Sequence, residues 1–311
     1  MTTADAYVEF GTRETRGVSP SYERLSLAVS RDRELLDLLD ELPPAKRQPN
    51  LLFGVVRLLG GPLDDPAAFH DHVVANWPAI AAQMRVRATQ TNEAGRCAVL
   101  LPVLAALPQP LALLEVGASA GLCLYPDRYA YRYGERQVGA GEPVLDCAAV
   151  GVPVPAARPE VVWRAGLDLN PLDVTDPADI AWLDALIWPE QTHRRARLRA
   201  AAAVAAAEPP RLVRGDLVDD LPALAAQAPA DATLVVFHTS VLYQVPQPRR
   251  DAFVELVRAL PGHWLANEAP EVLPHAALPA SPGEAMHNVL ALDGTPLAWT
   301  RGHGQAMVWM G

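Results

Sequence analysis

Leu111-Ala112-Leu113-Leu114-Glu115-Val116-Gly117-Ala118-Ser119-Ala120-Gly121 is the stretch whose reading decides the fold. Six residues, apolar but for Glu115, predict a strand buried on both faces. The run of tiny residues after them predicts a sharp bend at the strand's carboxyl end, where open α/β sheets place their ligand crevice. Small side chains there let the backbone come close to a ligand. Were Leu122 to open a helix, its unpaired amides would favour a carboxylate or another polar group.

Working outward, short apolar runs recur between helical stretches. Val161–Leu167, Arg211–Val213, Thr233–Phe237 and Trp264–Ala266 read as further strands, with Ile180–Ala207 and Pro248–Leu260 as helices between them. The alternation predicts a Rossmann-like, doubly wound, mostly parallel sheet. At the end of the chain, Val289–Leu292, Pro296–Trp299 and Ala306–Met310 leave no room for helices. Asp293-Gly294 marks a tight turn, so an antiparallel C-terminal ribbon is expected. Gln137–Pro159, rich in Gly, Pro and Ala, reads as an excursion between strands.

Before Pro110 the apolar residues follow helical spacing, as in Leu35, Leu36, Leu38 and Leu39, then Leu51, Leu52, Val55, Val56, Leu58 and Leu59. Breaks fall at Pro43-Pro44, Gly60-Gly61-Pro62 and Pro108-Gln109-Pro110. The expected organisation is an all-helical N-terminal cap over 1–108 and a Rossmann-like domain over 109–311.

Composition narrows the function. The chain has 311 residues, half of them hydrophobic, and a formal net charge of −10, so a broad phosphate-gripping surface and a nucleic-acid partner are not expected. Lys46 is the single lysine, so the many arginines reflect composition rather than anion recognition. No apolar run reaches the roughly 20 residues that span a bilayer, and Met1 to Phe10 does not read as a secretory signal. The expectation is a cytoplasmic protein with a small-molecule substrate and no membrane partner. Cys97, Cys123 and Cys147 read as reduced thiols. His70 and His72, with His263, His275, His287 and His303, lack ligand spacing for a metal.

Leu114 to Leu122 resembles the first motif of class I S-adenosylmethionine-dependent methyltransferases. Val162-Trp-Arg-Ala-Gly-Leu-Asp168 looks like their second strand with its acidic end, and Leu212 to Asp216 and Leu234 to His238 like the third and fourth. Arg87 to Arg96, Arg164 to Pro171 and Trp188 to Gln191 resemble, more specifically and over nearly the whole chain, an uncharacterised bacterial domain-of-unknown-function family. The methyltransferase resemblance implies S-adenosylmethionine as cofactor. Glu115 and the backbone of Gly117, Ala118, Ser119 and Gly121 would hold its methionine part, Asp168 the ribose hydroxyls and Asp216 the adenine amino group. Asp168 follows Gly121 by 47 positions, more than one strand–helix–strand unit needs, and Tyr129–Tyr133 competes for the place of second strand.

Other residues carry candidate chemistry. His238 ends the fourth strand beside Thr239 and Ser240 and reads as a general base, its ordinary pKa near 6.5 suiting proton removal. Thr91, Asn92, Glu93 and Arg96 form a polar knot that floors the pocket, with Asn92 as a helix cap, and Asn267 and Glu268 fall on the rim. The run Arg194-Arg195, Arg197 and Arg199 reads as a solvated helix face. Gly117 to Gly121 also fits Gly-x-Ser-x-Gly, a nucleophile elbow in which Ser119 would use Asp216 with His238 or His263. Tyr125-Pro126 and the lack of an oxyanion segment speak against it. A Rossmann-like module that binds ligand or partner without catalysis is the third reading.

Overall fold

The structure is a computed structural model and describes residues 2–283 and 286–310. The chain divides into two compact units, Met1–Thr91 with Asp176–Ala196, and Asn92–Thr175 with Arg197–Gly311. The division falls at Thr91 rather than at 108, so the helix Cys97–Leu104 belongs to the second unit.

The first unit is helical, and its helix starts are written in the sequence. Ser19, Asp32 and Asp65 each accept a hydrogen bond from the backbone amide three residues on, meeting one of the donors that a helix leaves open. Proline stands at the first position of Pro20–Val29, Pro49–Leu58, Pro66–Val86 and Pro177–Leu186, where its missing N–H costs nothing. Phe53 is the centre of the packing, ringed by Tyr7, Phe10, Tyr22 and Phe69 at 4.8 to 6.2 Å between centroids. Pro177–Leu186 packs on Pro49–Leu58, with Gly54 facing Leu186 and Trp182. The single helix expected over Ile180–Ala207 is two, Pro177–Leu186 and Thr192–Ala207, parted at Trp188-Pro189, where proline cannot donate to the ladder.

The second unit is α/β. Its strands are β1 (Leu111–Val116), β2 (Ala130–Tyr133), β3 (Arg136–Val138), β4 (Val144–Asp146), β5 (Ala148–Val150), β6 (Val161–Asp168), β7 (Arg211–Arg214), β8 (Thr233–Thr239), β9 (His263–Glu268), β10 (Asn288–Leu292), β11 (Thr295–Thr300) and β12 (Ala306–Trp309). Nine form one sheet in the order β5-β12-β11-β10-β9-β8-β1-β6-β7, and β3-β2-β4 form a small separate sheet. β7, β6, β1, β8 and β9 run parallel. β10, β11 and β12 close that sheet with antiparallel pairings, and β5 runs parallel to β12 at the edge. Asp293 and Gly294 both have positive φ, 51° and 84°, which makes the hairpin between β10 and β11 tight.

Two expectations are settled by this topology. β6 ends at Asp168 and pairs with β1, while Ala130–Tyr133 lies in the small sheet, so Val161–Asp168 is the neighbour of the first strand. The excursion over Gln137–Pro159 contains strands, one of which, β5, returns to the main sheet.

β1 is buried along its whole length. On one face Ala112, Leu114 and Val116 join Leu167, Val236, Phe253 and Trp264 in a core, each large side chain contributing about 1.5–3 kcal/mol. The other face carries Leu111, Leu113 and Glu115. From β1 the chain builds outward to β6 and β7 on one side and to β8 and β9 on the other, so the order reverses at β1, the point at which open α/β sheets as a class place their ligands. Among the described residues no helix is long and apolar enough to cross a membrane.

Gly166 of β6 is where the sheet and the bend after β1 meet: a Cβ there would stand 2.5 Å from the Ala118 Cβ and 2.6 Å from the Leu212 Cδ2. Gly166→Ala is expected to cost about 2 kcal/mol or more through overpacking, read as a lower urea midpoint. Gly283→Ala, in open space, is the control.

Candidate functional site

The bend after β1 closes on itself. Gly117 and Gly121 both have φ of 71°, a region that favours glycine, and Ser119 follows them there at 51°. The Gly117 and Ala118 amides donate to Leu167 O at 2.8 and 3.2 Å, and the Gly121 amide donates to Ala118 O. The Ser119 amide donates to Asp168 Oδ2 at 2.7 Å and the Asn170 amide to Asp168 Oδ1 at 2.7 Å. Asp168 thus ties the bend to the end of β6. The glycines serve packing, since a Cβ on Gly117 would meet Val241 at 2.5 Å and one on Gly121 would meet Pro210 at 2.9 Å. No long helix follows: Leu122–Leu124 is a single 3₁₀ turn, so the expected row of open amides is not formed.

Beside this bend lies a polar cluster on the face of the sheet that carries Glu115. Arg96, only 7% exposed, reaches over from the turn before Cys97–Leu104. Its Nη1 donates to Thr239 O at 2.7 Å and to Thr239 Oγ1 at 3.2 Å, and its Nε to Gly302 O at 2.9 Å. Asn267 pairs with Thr239 across β8 and β9 and accepts from the Thr300 hydroxyl at 2.7 Å. Three buried polar atoms in this region have no hydrogen-bond partner: Glu115 Oε2, Ser119 Oγ and Asn267 Nδ2. Burial pushes the Glu115 carboxyl well above the usual carboxylate range. The Cys123 thiol adds to that shift and Arg96 opposes it.

His238 and Glu268 stand on the opposite face, inside the core. The His238 ring is fully buried against Phe253 and Trp264. Trp264 Nε1, a donor only, gives its hydrogen to His238 Nε2 at 2.9 Å, which leaves the proton on Nδ1 to be donated to Glu268 Oε1 at 2.7 Å. Both ring nitrogens are committed. The role of general base expected for His238 therefore has no lone pair to work with. Glu268 Oε1 also accepts from the Val241 and Leu242 amides, so this acid organises the strand end rather than the rim.

Asp216 turns inward on its own loop. Burial pushes its carboxyl up, but the Val218 and Asp219 amides and the Arg249 guanidinium together outweigh that and hold it below the ordinary value. It is engaged where an adenine amino group was expected. Ser119 Oγ has no partner, and His263 is bonded to Asp293, so no base serves the serine in an elbow.

The polar knot divides. Thr91 is exposed and ends the first unit. Asn92 braces the bend, donating to Ala118 O and accepting from the Leu122 amide, while Glu93 takes the cap of the following turn. The arginine run is a solvated face only in part: Arg199 is exposed, but Arg194 is buried, Arg195 is paired with Asp184, and Arg197 stands 2.7 Å from Glu93. Sequence reasoning missed Asn288, which donates to the Ser240 hydroxyl, and Thr300. The two are register partners in β10 and β11, and polar residues at the ends of otherwise apolar strands were the available signal. Among the described residues no three His, Cys, Asp or Glu side chains gather as a metal site.

The sequence pattern of one protein family, described as an uncharacterized protein conserved in bacteria (DUF2332), matches residues 4–309. The chain belongs to that family. This agrees with the resemblance seen in Arg87 to Arg96, Arg164 to Pro171 and Trp188 to Gln191, and the match takes in both units of this DUF2332 protein. Among curated proteins nothing matches the chain.

Burial raises the Glu115 carboxyl in the folded protein above the ordinary glutamate value of 4.5, so stability falls as the pH rises through that value. Glu115→Gln removes this loss, and its urea midpoint should exceed that of the wild type at pH 7 to 8 and converge with it below about pH 4.5. His238→Ala leaves Trp264 Nε1 and Glu268 without their partner and opens a void, at an expected cost of about 3 kcal/mol or more in chemical denaturation.

Proposed function

We propose that the second unit is a Rossmann-like domain that binds a small polar ligand over the carboxyl ends of β1, β8 and β9. The observation that carries this reading is the set of buried polar atoms without partners, Glu115 Oε2, Ser119 Oγ and Asn267 Nδ2. A buried group left unpaired costs about 1–3 kcal/mol. Several at the point where the strand order reverses are best accounted for as valences that a ligand fills.

For the identity of that ligand, S-adenosylmethionine, giving its methyl group to a small acceptor, has two supports. One is the parallel order of β7, β6, β1, β8 and β9. The other is Asp168, at the end of β6, whose carboxylate keeps lone pairs for ribose hydroxyls after accepting two amides. The fit fails elsewhere. The bend offers few open amides to a methionine carboxylate, Val241 and Pro210 fill the space beside its glycines, and Asp216 is held by Arg249. The methyltransferase reading thus stands on the strand order and Asp168. The serine-hydrolase reading has no comparable support, because Ser119 lacks a base.

Titration calorimetry with S-adenosylhomocysteine tests the cofactor. Saturable binding that weakens about tenfold or more in Asp168→Asn, a change of about 1.4 kcal/mol, is the expected result. No binding by the folded wild type retires the adenosyl cofactor and leaves the polar site to be filled by another ligand.

A further inference from the structure

We infer that the ligand of this site carries a singly charged carboxylate, received by the Arg96 guanidinium with Ser119 and Asn267 beside it. The inference rests on the polar cluster being a ligand site and deepens it. Arg96 is 7% exposed, and its hydrogen bonds run to Gly302 O, Thr239 O and Thr239 Oγ1. Among the described residues it has no carboxylate partner, and Nη2 donates to nothing. A buried cation answered only by neutral acceptors is expensive, and buried charges are as a rule paired.

The acids nearby do not supply that pair. Glu93 is turned to Arg197 and to the Gly95 amide. Burial raises the Glu115 carboxyl, and it forms no ion pair with Arg96. Ser119 and Asn267, 4% and 0% exposed, add an unpartnered hydroxyl and an unpartnered amide nitrogen. The Asn267 oxygen is held by Thr300, so the nitrogen is the end left without a partner, beside Thr239 in the register of β8 and β9.

The sign and size of the charge follow from the same residues. Donors outnumber acceptors at the open positions, which selects an anion over a cation or a neutral amide. One guanidinium answered only by neutral acceptors matches a single negative charge and leaves the second charge of a phosphate dianion unmatched. A planar carboxylate suits the guanidinium edge.

The test measures the thermal midpoint of the full chain at fixed ionic strength and pH 7.5 with acetate, acetamide or inorganic phosphate. Acetate is expected to raise the midpoint saturably, by about 2 °C at ten times its Kd, with acetamide and phosphate doing less. Arg96→Gln should abolish the acetate increment. Because Arg96 also fastens β8, that variant can fail to fold, and Ser119→Ala, expected to fold and to weaken the increment severalfold, is the second arm. Equal responses to acetate and acetamide, or the largest response from phosphate, overturn the carboxylate while leaving a ligand site. Silence from all three probes overturns it as well, and if S-adenosylhomocysteine is silent too, the ligand-site reading falls with it.

Discussion

The close approach of the bend after β1 to β6 is the constraint on which the second unit depends. Gly166 has no room for a Cβ because Ala118 and Leu212 already stand there, and Gly117 has none because of Val241. Asp168 then fastens the bend through the Ser119 amide. This packing fixes where the carboxyl end of β1 lies against its neighbours, and with it the position of Glu115 beside Arg96 and Cys123. Small residues at a strand end have two physical uses, approach to a ligand and approach to the protein itself. Here the second accounts for the glycines.

The strands were legible because burial on both faces leaves continuous apolar runs. Leu111–Val116 coincides with its observed bounds, and β6 to β9 extend their expected ranges by only a few residues. The closing ribbon was legible from Asp293-Gly294 and the short spacing after it. β2 was legible as a strand at Tyr129–Tyr133 but not as part of a separate sheet, and β3 to β5 were not legible, because three-residue strands in a Gly- and Pro-rich stretch carry too little periodicity to register. The long helix was misread since an Ala-rich run hides a break that a single Pro189 imposes.

Site residues were legible as polar groups at strand ends, and less so in their roles. Thr239 and Asn267 could be placed by counting along strands, yet alternation alone did not reveal that His238 and Glu268 point to the apolar face and satisfy one another there. Asp216 reads as a ligand-facing acid until Arg249, 33 positions later, is seen against it. Arg96 offered the weakest signal of all in a chain where nearly every cation is arginine. Its meaning comes from its surroundings, neutral carbonyls and a hydroxyl in place of a carboxylate.

Glu268 Oε1 receives the His238 ring and, in the same place, the amides of Val241 and Leu242. Val241 is also the side chain seated against Gly117. One oxygen atom therefore bolts the interior of the sheet to the turn on its rim, so that repacking around the histidine would be felt at the bend after β1 without any residue there being altered.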